Sequence, residues 1–193
     1  MGSDHRFIRA CRGEKVDTTP VWLMRQAGRY LPEYMKVRAK TDFLGLCKTP
    51  DLACEVTVQP VDILGVDAAI LFSDILVVPF ALGQGVRFED GHGPMLDRFG
   101  GVEQLIRDEA VWGTKLAPVY QAMRETRAGL ASNKALIGFA GAPWTLAAYM
   151  LEGKGSPDQR AAKLAAYRNP ENFSRLLDVL VDTVAWHLLR QLE

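Results

Sequence analysis

Along the chain, compact apolar runs alternate with stretches whose apolar residues recur every three or four positions. Phe7, Ile8 and Cys11 have helical spacing, with Asp4 placed to cap a short helix that ends near Gly13. Thr18, Thr19 and Pro20 break that pattern. Val21-Trp22-Leu23-Met24 then reads as a strand covered on both faces, and it delivers Arg25-Gln26-Ala27-Gly28-Arg29-Tyr30 at its carboxyl end. A helix starting at Pro32, a turn around Phe43 to Cys47 and a longer helix from Pro50 towards Gly65 are predicted next. Asp67-Ala68-Ala69-Ile70-Leu71-Phe72 repeats the strand pattern and delivers Ser73 and Asp74.

Residues 79–99 are punctuated by glycine and proline and predict an irregular excursion with a small hairpin around Val86-Arg87-Phe88. Helices are predicted over 102–106 and 112–130, and Ala135-Leu136-Ile137-Gly138-Phe139 is a third buried strand. It ends in Gly141-Ala142-Pro143-Trp144 before a helix reaching Leu151. Residues 156–167 and the stretch from Pro170 onward are helical by period, the latter through Leu176, Leu177, Leu180, Val181, Val184, Leu188 and Leu189. Buried strands alternating with helices, each strand ending in polar residues, predict a parallel α/β fold, barrel or doubly wound. A closed eight-stranded barrel takes ~250 residues, more than are present here.

Composition narrows the function classes. The chain has 193 residues, 48% hydrophobic and 24% charged, with 23 basic and 23 acidic side chains. That balance gives no general attraction for nucleic acid or anionic lipid, so anion binding must come from placed residues. Cys11, Cys47 and Cys54 form an odd set without a CxxC pair and read as reduced, half-buried thiols of a cytoplasmic protein. The opening residues have no apolar stretch of signal-peptide length, and the apolar run Ile75 to Leu82 is interrupted by Pro79, so no membrane span is expected. No cluster of His, Cys, Asp and Glu has metal-ligand spacing, and neither a dinucleotide fingerprint nor a phosphate loop is present. His5, His92 and His187 read as solvated or hydrogen-bonded structural residues.

Arg25 and Arg29 lie four residues apart and can face one anion, with Gly28 between them allowing close backbone approach; as surface residues they would pair with Glu33 or Asp42. Asp74, between two apolar runs, reads either as a helix-capping acid or as a carboxylate drawn into a poorly hydrated mouth. Tyr149 on the helix opened by Pro143 reads by itself as a half-buried tyrosine. Phe43 reads as pocket wall or core, and Trp22 and Trp144 as packing.

Three segments carry a resemblance: Met24-Arg25-Gln26-Ala27-Gly28-Arg29-Tyr30-Leu31-Pro32-Glu33-Tyr34, Leu71-Phe72-Ser73-Asp74-Ile75-Leu76, and Gly138-Phe139-Ala140-Gly141-Ala142-Pro143-Trp144-Thr145-Leu146-Ala147-Ala148-Tyr149-Met150. In order and spacing the chain resembles the uroporphyrinogen decarboxylase family of haem biosynthesis along essentially its whole length. The resemblance implies a TIM-type (β/α) barrel of which residues 1–193 are the N-terminal portion, the remainder supplying a hydroxyl residue and a histidine to the pocket. It implies a cofactor-independent, metal-free carboxy-lyase, homodimeric as the full-length enzyme, whose small-molecule substrate is a flexible macrocycle of four pyrroles, each bearing an acetate and a propionate.

By the same resemblance Arg25 and Arg29, with the backbone of Gln26, Ala27 and Gly28 between them, contact substrate carboxylates, Phe43 lines the pocket, Asp74 gathers the pyrrole N–H groups, and Tyr149 orients substrate or Asp74. The proton donor stays open among Arg25, Arg29, a water and a residue outside this chain. The four residues Arg25, Arg29, Asp74 and Tyr149 are expected at the carboxyl ends of the strands. Alone, the chain is expected to be catalytically silent and to self-associate through open sheet edges. Rival readings are a zinc- or corrinoid-dependent methyltransferase of the related barrel group and a non-catalytic tetrapyrrole-binding or interaction protein.

Overall fold

A computed structural model describes residues 5–89 and 93–193. The expected cap Asp4 and the turn residue His92 lie outside the described residues. In chain order the elements are α1 (Arg6–Cys11), α2 (Pro32–Arg38), α3 (Phe43–Lys48), α4 (Pro50–Leu64), β1 (Ala68–Ile70), α5 (Val77–Ala81), β2 (Val86–Glu89), β3 (Gly93–Leu96), a 3-10 turn (Val102–Gln104), α6 (Glu109–Gly129), β4 (Ala135–Ile137), α7 (Pro143–Glu152), α8 (Arg160–Arg168) and α9 (Pro170–Gln191). The chain forms two compact units. One comprises Met1–Ser73 and Pro118–Phe139, the other Asp74–Ala117 and Ala140–Glu193.

In the first unit β1 and β4 pair in parallel, Ala68 opposite Ala135 and Ile70 opposite Ile137, and Leu71 N–H continues the ladder to the Ile137 carbonyl at 3.0 Å. Two parallel strands need a long connection between them, which the intervening residues supply. Val61, Val66, Ala69 and Leu130 form one apolar cluster beside this sheet, and Leu31, Tyr34, Val37, Leu46 and Val56 form a second. Phe72 joins the second cluster, its ring 5.8 Å from that of Tyr34 and 5.5 Å from that of Phe43.

Val21-Trp22-Leu23-Met24 corrects the expectation of a doubly covered strand: Val21, Leu23 and Met24 are exposed and the segment is not a strand. Side chains replace the ladder here. Asp67 donates its N–H to the Val21 carbonyl and accepts Val21 N–H on its carboxylate, both at 2.8 Å, while Arg6 bridges that carboxylate to Asp17. With the Val21 and Leu23 amides taken by the side chains of Asp67 and Gln26, the segment is held beside β1 without being paired into the sheet. The expected turn at Phe43 to Cys47 is instead the helix α3, because the Asp42 carboxylate accepts Gly45 N–H at 2.6 Å and supplies the missing first-turn acceptor. The helix expected over 102–106 is only the short 3-10 turn.

The second unit is built on α9, whose inner face carries Phe173, Leu176, Leu180, Val184 and His187 at helical spacing against α5, α7 and α8. His187 is buried rather than solvated, and burial pushes its imidazole down to about 4 by penalising the cation. The expected hairpin is present: β2 and β3 pair antiparallel with Val86 opposite Leu96. The cysteines differ from one another, Cys11 exposed, Cys47 buried and Cys54 intermediate.

Thr57 tests how the polypeptide leaving β1 is held. Its hydroxyl, fully buried on α4, donates to the Ala53 carbonyl at 2.6 Å and accepts Phe72 N–H at 2.9 Å. Thr57→Val leaves that amide without its acceptor, so stability should fall by about 1–3 kcal/mol. Urea unfolding checks this: the midpoint moves down at unchanged slope, and an unmoved midpoint contradicts it.

Candidate active site

The first unit presents the Arg25 to Tyr30 loop. Gln26, fully buried, is its anchor: the side-chain amide donates to the Ala68 carbonyl at 3.1 Å and its oxygen accepts Leu23 N–H at 3.2 Å. The Gln26 N–H bonds to the Leu23 carbonyl, and its own carbonyl accepts the Tyr30 hydroxyl at 2.5 Å. Both backbone groups of Gln26 are therefore engaged inside the loop, which makes it a support for the substrate-facing role expected of it rather than a free contact. Ala27 packs on the Leu31 cluster. At Gly28 a methyl group would stand 3.1 Å from the Tyr30 ring, so glycine lets the loop fold back on that ring. Arg25 and Arg29 flank this knot, both exposed, and neither makes an ion pair or hydrogen bond among the described residues. The pairing with Glu33 or Asp42 considered from sequence does not form. Two cations stand on a loop fixed from beneath.

The second unit opens with Asp74. Its carboxylate accepts Leu76 N–H at 2.7 Å, two residues on, in the turn before α5; α5 has no side-chain cap, so Asp74 does not take the helix-capping role considered from sequence. Burial raises the Asp74 carboxyl above its ordinary value; the Leu76 N–H pulls the other way with smaller effect. No cation pairs with it among the described residues. The segment following Asp74 packs on the start of α7 in the same unit: a methyl group at the buried Gly141 would come within 2.6 Å of Leu146 and 3.1 Å of Ile75. Tyr149 lies half-buried two turns along α7, its hydroxyl over Gly155 and without a hydrogen bond to Asp74 among the described residues. Trp144 is not wholly packed: its ring meets Phe173 at 5.4 Å and its indole N–H donates to Gln159 at 2.6 Å.

Phe43 sits half-buried at the start of α3 against Phe72, so its placement is that of a cluster residue in the first unit. Sequence reasoning missed the buried side chains of Gln26 and Thr57. A buried glutamine in a loop leaves no periodic signal, because its partners are backbone groups distant in sequence. Among the described residues no group of His, Cys, Asp and Glu is assembled to hold a metal ion.

The uroporphyrinogen decarboxylase family model matches residues 2–193. The chain belongs to the uroporphyrinogen decarboxylase family. Curated relatives carrying that name include those of Mesorhizobium japonicum, 53% identical over 100% of this chain, and Chelativorans sp., 49% identical over 99%. The chain spans 57% and 56% of their lengths, about half or slightly more. Among solved structures, a methyltransferase from Methanosarcina mazei superposes with a TM-score of 0.70 at 17% identity, covering 92% of this chain and 52% of that one. That likeness shows a shared fold. Together with the family match it bears out the α/β class and the expectation of part of a (β/α) barrel. No helix is long and apolar enough to cross a membrane among the described residues.

The environment of Asp74 has a measurable consequence. A carboxyl whose folded value is raised holds its proton more tightly in the folded state, so the group disfavours folding as pH rises above its ordinary value of 3.8. Asp74→Asn keeps an oxygen for Leu76 N–H and removes the charge. Urea midpoints measured from pH 4 upward should show the variant losing less stability than the wild type on going to neutral pH. Parallel curves would contradict the raised carboxyl.

Proposed function

We propose that the protein acts as a uroporphyrinogen decarboxylase, converting the four acetate groups of uroporphyrinogen to methyl groups with loss of carbon dioxide to give coproporphyrinogen. What supports the reading, beyond the family, is that among the described residues Arg25 and Arg29 have no ion pair or hydrogen bond through their side chains and Asp74 has no cation beside it, which is the state a site needs before a charged substrate arrives. Residues 1–193 would be the N-terminal part of one (β/α) barrel, in a cytoplasmic enzyme that works as a homodimer on this small molecule.

The substrate is densely anionic, and guanidinium groups grip carboxylates through paired hydrogen bonds. Arg25 and Arg29 take peripheral carboxylates in this proposal, with Gly28 allowing the backbone close and Gln26 holding the loop still. Decarboxylation of an acetate on an electron-rich pyrrole begins by protonating ring carbon. The resulting cation accepts the electron pair of the breaking carbon–carboxylate bond, carbon dioxide departs, a second proton completes the methyl group, and loss of the first proton from the ring carbon restores the aromatic pyrrole. Asp74, ionised, accepts pyrrole N–H bonds and stabilises the cation more than the neutral ground state, so its charge lowers the barrier. Its desolvation strengthens that effect, since a carboxylate in a poorly hydrated environment acts on a nearby cation with less screening. Tyr149 orients the macrocycle from α7. The pyrrole cation is itself the electron sink, so the proposed chemistry uses neither metal nor organic cofactor.

In the complete enzyme Asp74→Asn should lower kcat by ~10²-fold or more, the scale for losing one preorganised electrostatic group. Arg25→Met or Arg29→Met should chiefly weaken substrate binding. Steady-state turnover of uroporphyrinogen checks both, and near-normal kcat in Asp74→Asn would overturn the role given to that charge.

A further inference from the structure

A cavity of about 310 Å³ opens within the first unit at the amino ends of the two parallel strands. Asp67 immediately precedes β1 and Lys134 immediately precedes β4, and both line it. The sites of (β/α) barrels lie at the opposite, carboxyl ends, and none of the motif residues lines this cavity. Its carboxylates are already taken. Asp17 accepts Arg6 at 2.8 and 2.5 Å, and Asp67 accepts Arg6 at 2.9 Å and Val21 N–H at 2.8 Å. Lys134 is placed differently: its ammonium donates to the Val66 carbonyl at 2.6 Å and lies 3.5 Å from that of Gly65, and no carboxylate pairs with it among the described residues. Arg127 of α6 likewise ends on carbonyls, those of Lys134, Leu130 and Ala131 at 2.8, 3.1 and 3.0 Å, with no ion pair among the described residues. Carbonyls orient such groups without cancelling their charge, and an ammonium has three N–H donors to place.

His5 adds an independent observation. It lines the same cavity at 7% exposure, and its Nδ1, shielded from solvent, has no hydrogen-bond partner among the described residues. A buried polar atom left orphaned in a folded protein marks a place where a further group is expected. Burial, and after it the Arg127 charge, hold the imidazole below its ordinary value, so the positive charge of Arg127 is felt at the cavity wall. At the rim stands Asn133, exposed and with no hydrogen bond through its side chain among the described residues. We propose that this cavity is an anion-binding site for one small molecule bearing a phosphate or carboxylate, held by the Lys134 ammonium with the Asn133 amide donating from the rim. Its volume is at the lower limit of small-molecule sites, which span about 300–1,000 Å³, so it suits a small anion rather than a tetrapyrrole. Lys134 also has a use that needs no ligand, tying the chain ahead of β1 to the chain ahead of β4. Substitution at the rim separates the two uses, because the Asn133 side chain takes no part in that tie.

The test is titration of inorganic phosphate into the purified protein, read by backbone amide NMR shifts, with ionic strength held constant by sodium chloride. It compares the wild type with Asn133→Asp, Lys134→Gln and Lys163→Gln, the last an exposed lysine of α8 in the second unit. The wild type should show saturable shifts at the amides around Val66, Asp67, Asn133 and Lys134. Asn133→Asp should bind about tenfold more weakly or worse, because it sets a negative charge at the rim. Lys134→Gln should lose saturation, and Lys163→Gln should bind like the wild type. Should Lys134→Gln fail to fold, Asn133→Asp decides alone. The absence of saturable shifts at these amides in the wild type, or equal affinity of Asn133→Asp and wild type, would overturn the anion site and leave the decarboxylase reading untouched.

Discussion

Charges left unpaired by the fold are the constraint on which this structure turns. In most proteins a guanidinium on a rigid loop finds a carboxylate, and a half-buried carboxylate finds a cation or several N–H donors. Among the described residues Arg25 and Arg29 have no carboxylate partner, and the Asp74 carboxylate has one N–H, that of Leu76. Leaving Asp74 so poorly compensated costs stability, and that cost is characteristic of groups kept for chemistry rather than for folding. A charge satisfied internally could not respond to a substrate without first breaking its own contacts.

Holding such groups still takes supports that are themselves uncharged or fully paired. The arginine loop is pinned by the neutral amide of Gln26 to β1, and its glycine fits under Tyr30. Thr57 fixes Phe72 N–H, and the Arg6, Asp67 and Asp17 network fixes the backbone at Val21. In the second unit the hairpin and Gln84 secure the end of α7, the helix of Tyr149. The regular sheet is small, two parallel strands with three paired positions, and side chains do much of the work that a longer ladder would do.

The helices were readable because their apolar faces are periodic, α4 and α9 above all, and the hairpin because glycine and proline punctuate it. The segment at Val21 was misread for a physical reason: a run of four apolar residues signals burial on both faces only if something covers both, and here Asp67 and Gln26 draw the backbone alongside β1 while the side chains stay exposed. Composition is blind to that difference. The site residues were visible as motif members, Arg25, Arg29, Asp74 and Tyr149, but the local details were not. Whether Arg29 would meet Glu33, or Asp74 would cap α5, depends on backbone turns that no period encodes. Asp74 holds the turn before α5 through Leu76 N–H without capping the helix.

Family and fold speak at different levels. The likeness to a methyltransferase at 17% identity shows the fold alone, whereas the proposed function rests on the arginine loop and Asp74. The proposed chemistry therefore depends on the state of one carboxyl group. The direct measurement is the titration of the Asp74 side-chain carbon by NMR in the substrate-free protein, assigned by comparison with Asp74→Asn. An unpaired, desolvated carboxyl should titrate clearly above 3.8, the ordinary value for aspartate. A midpoint at or below 3.8 would mean that Asp74 is solvated or paired with a cation, and would contradict the account.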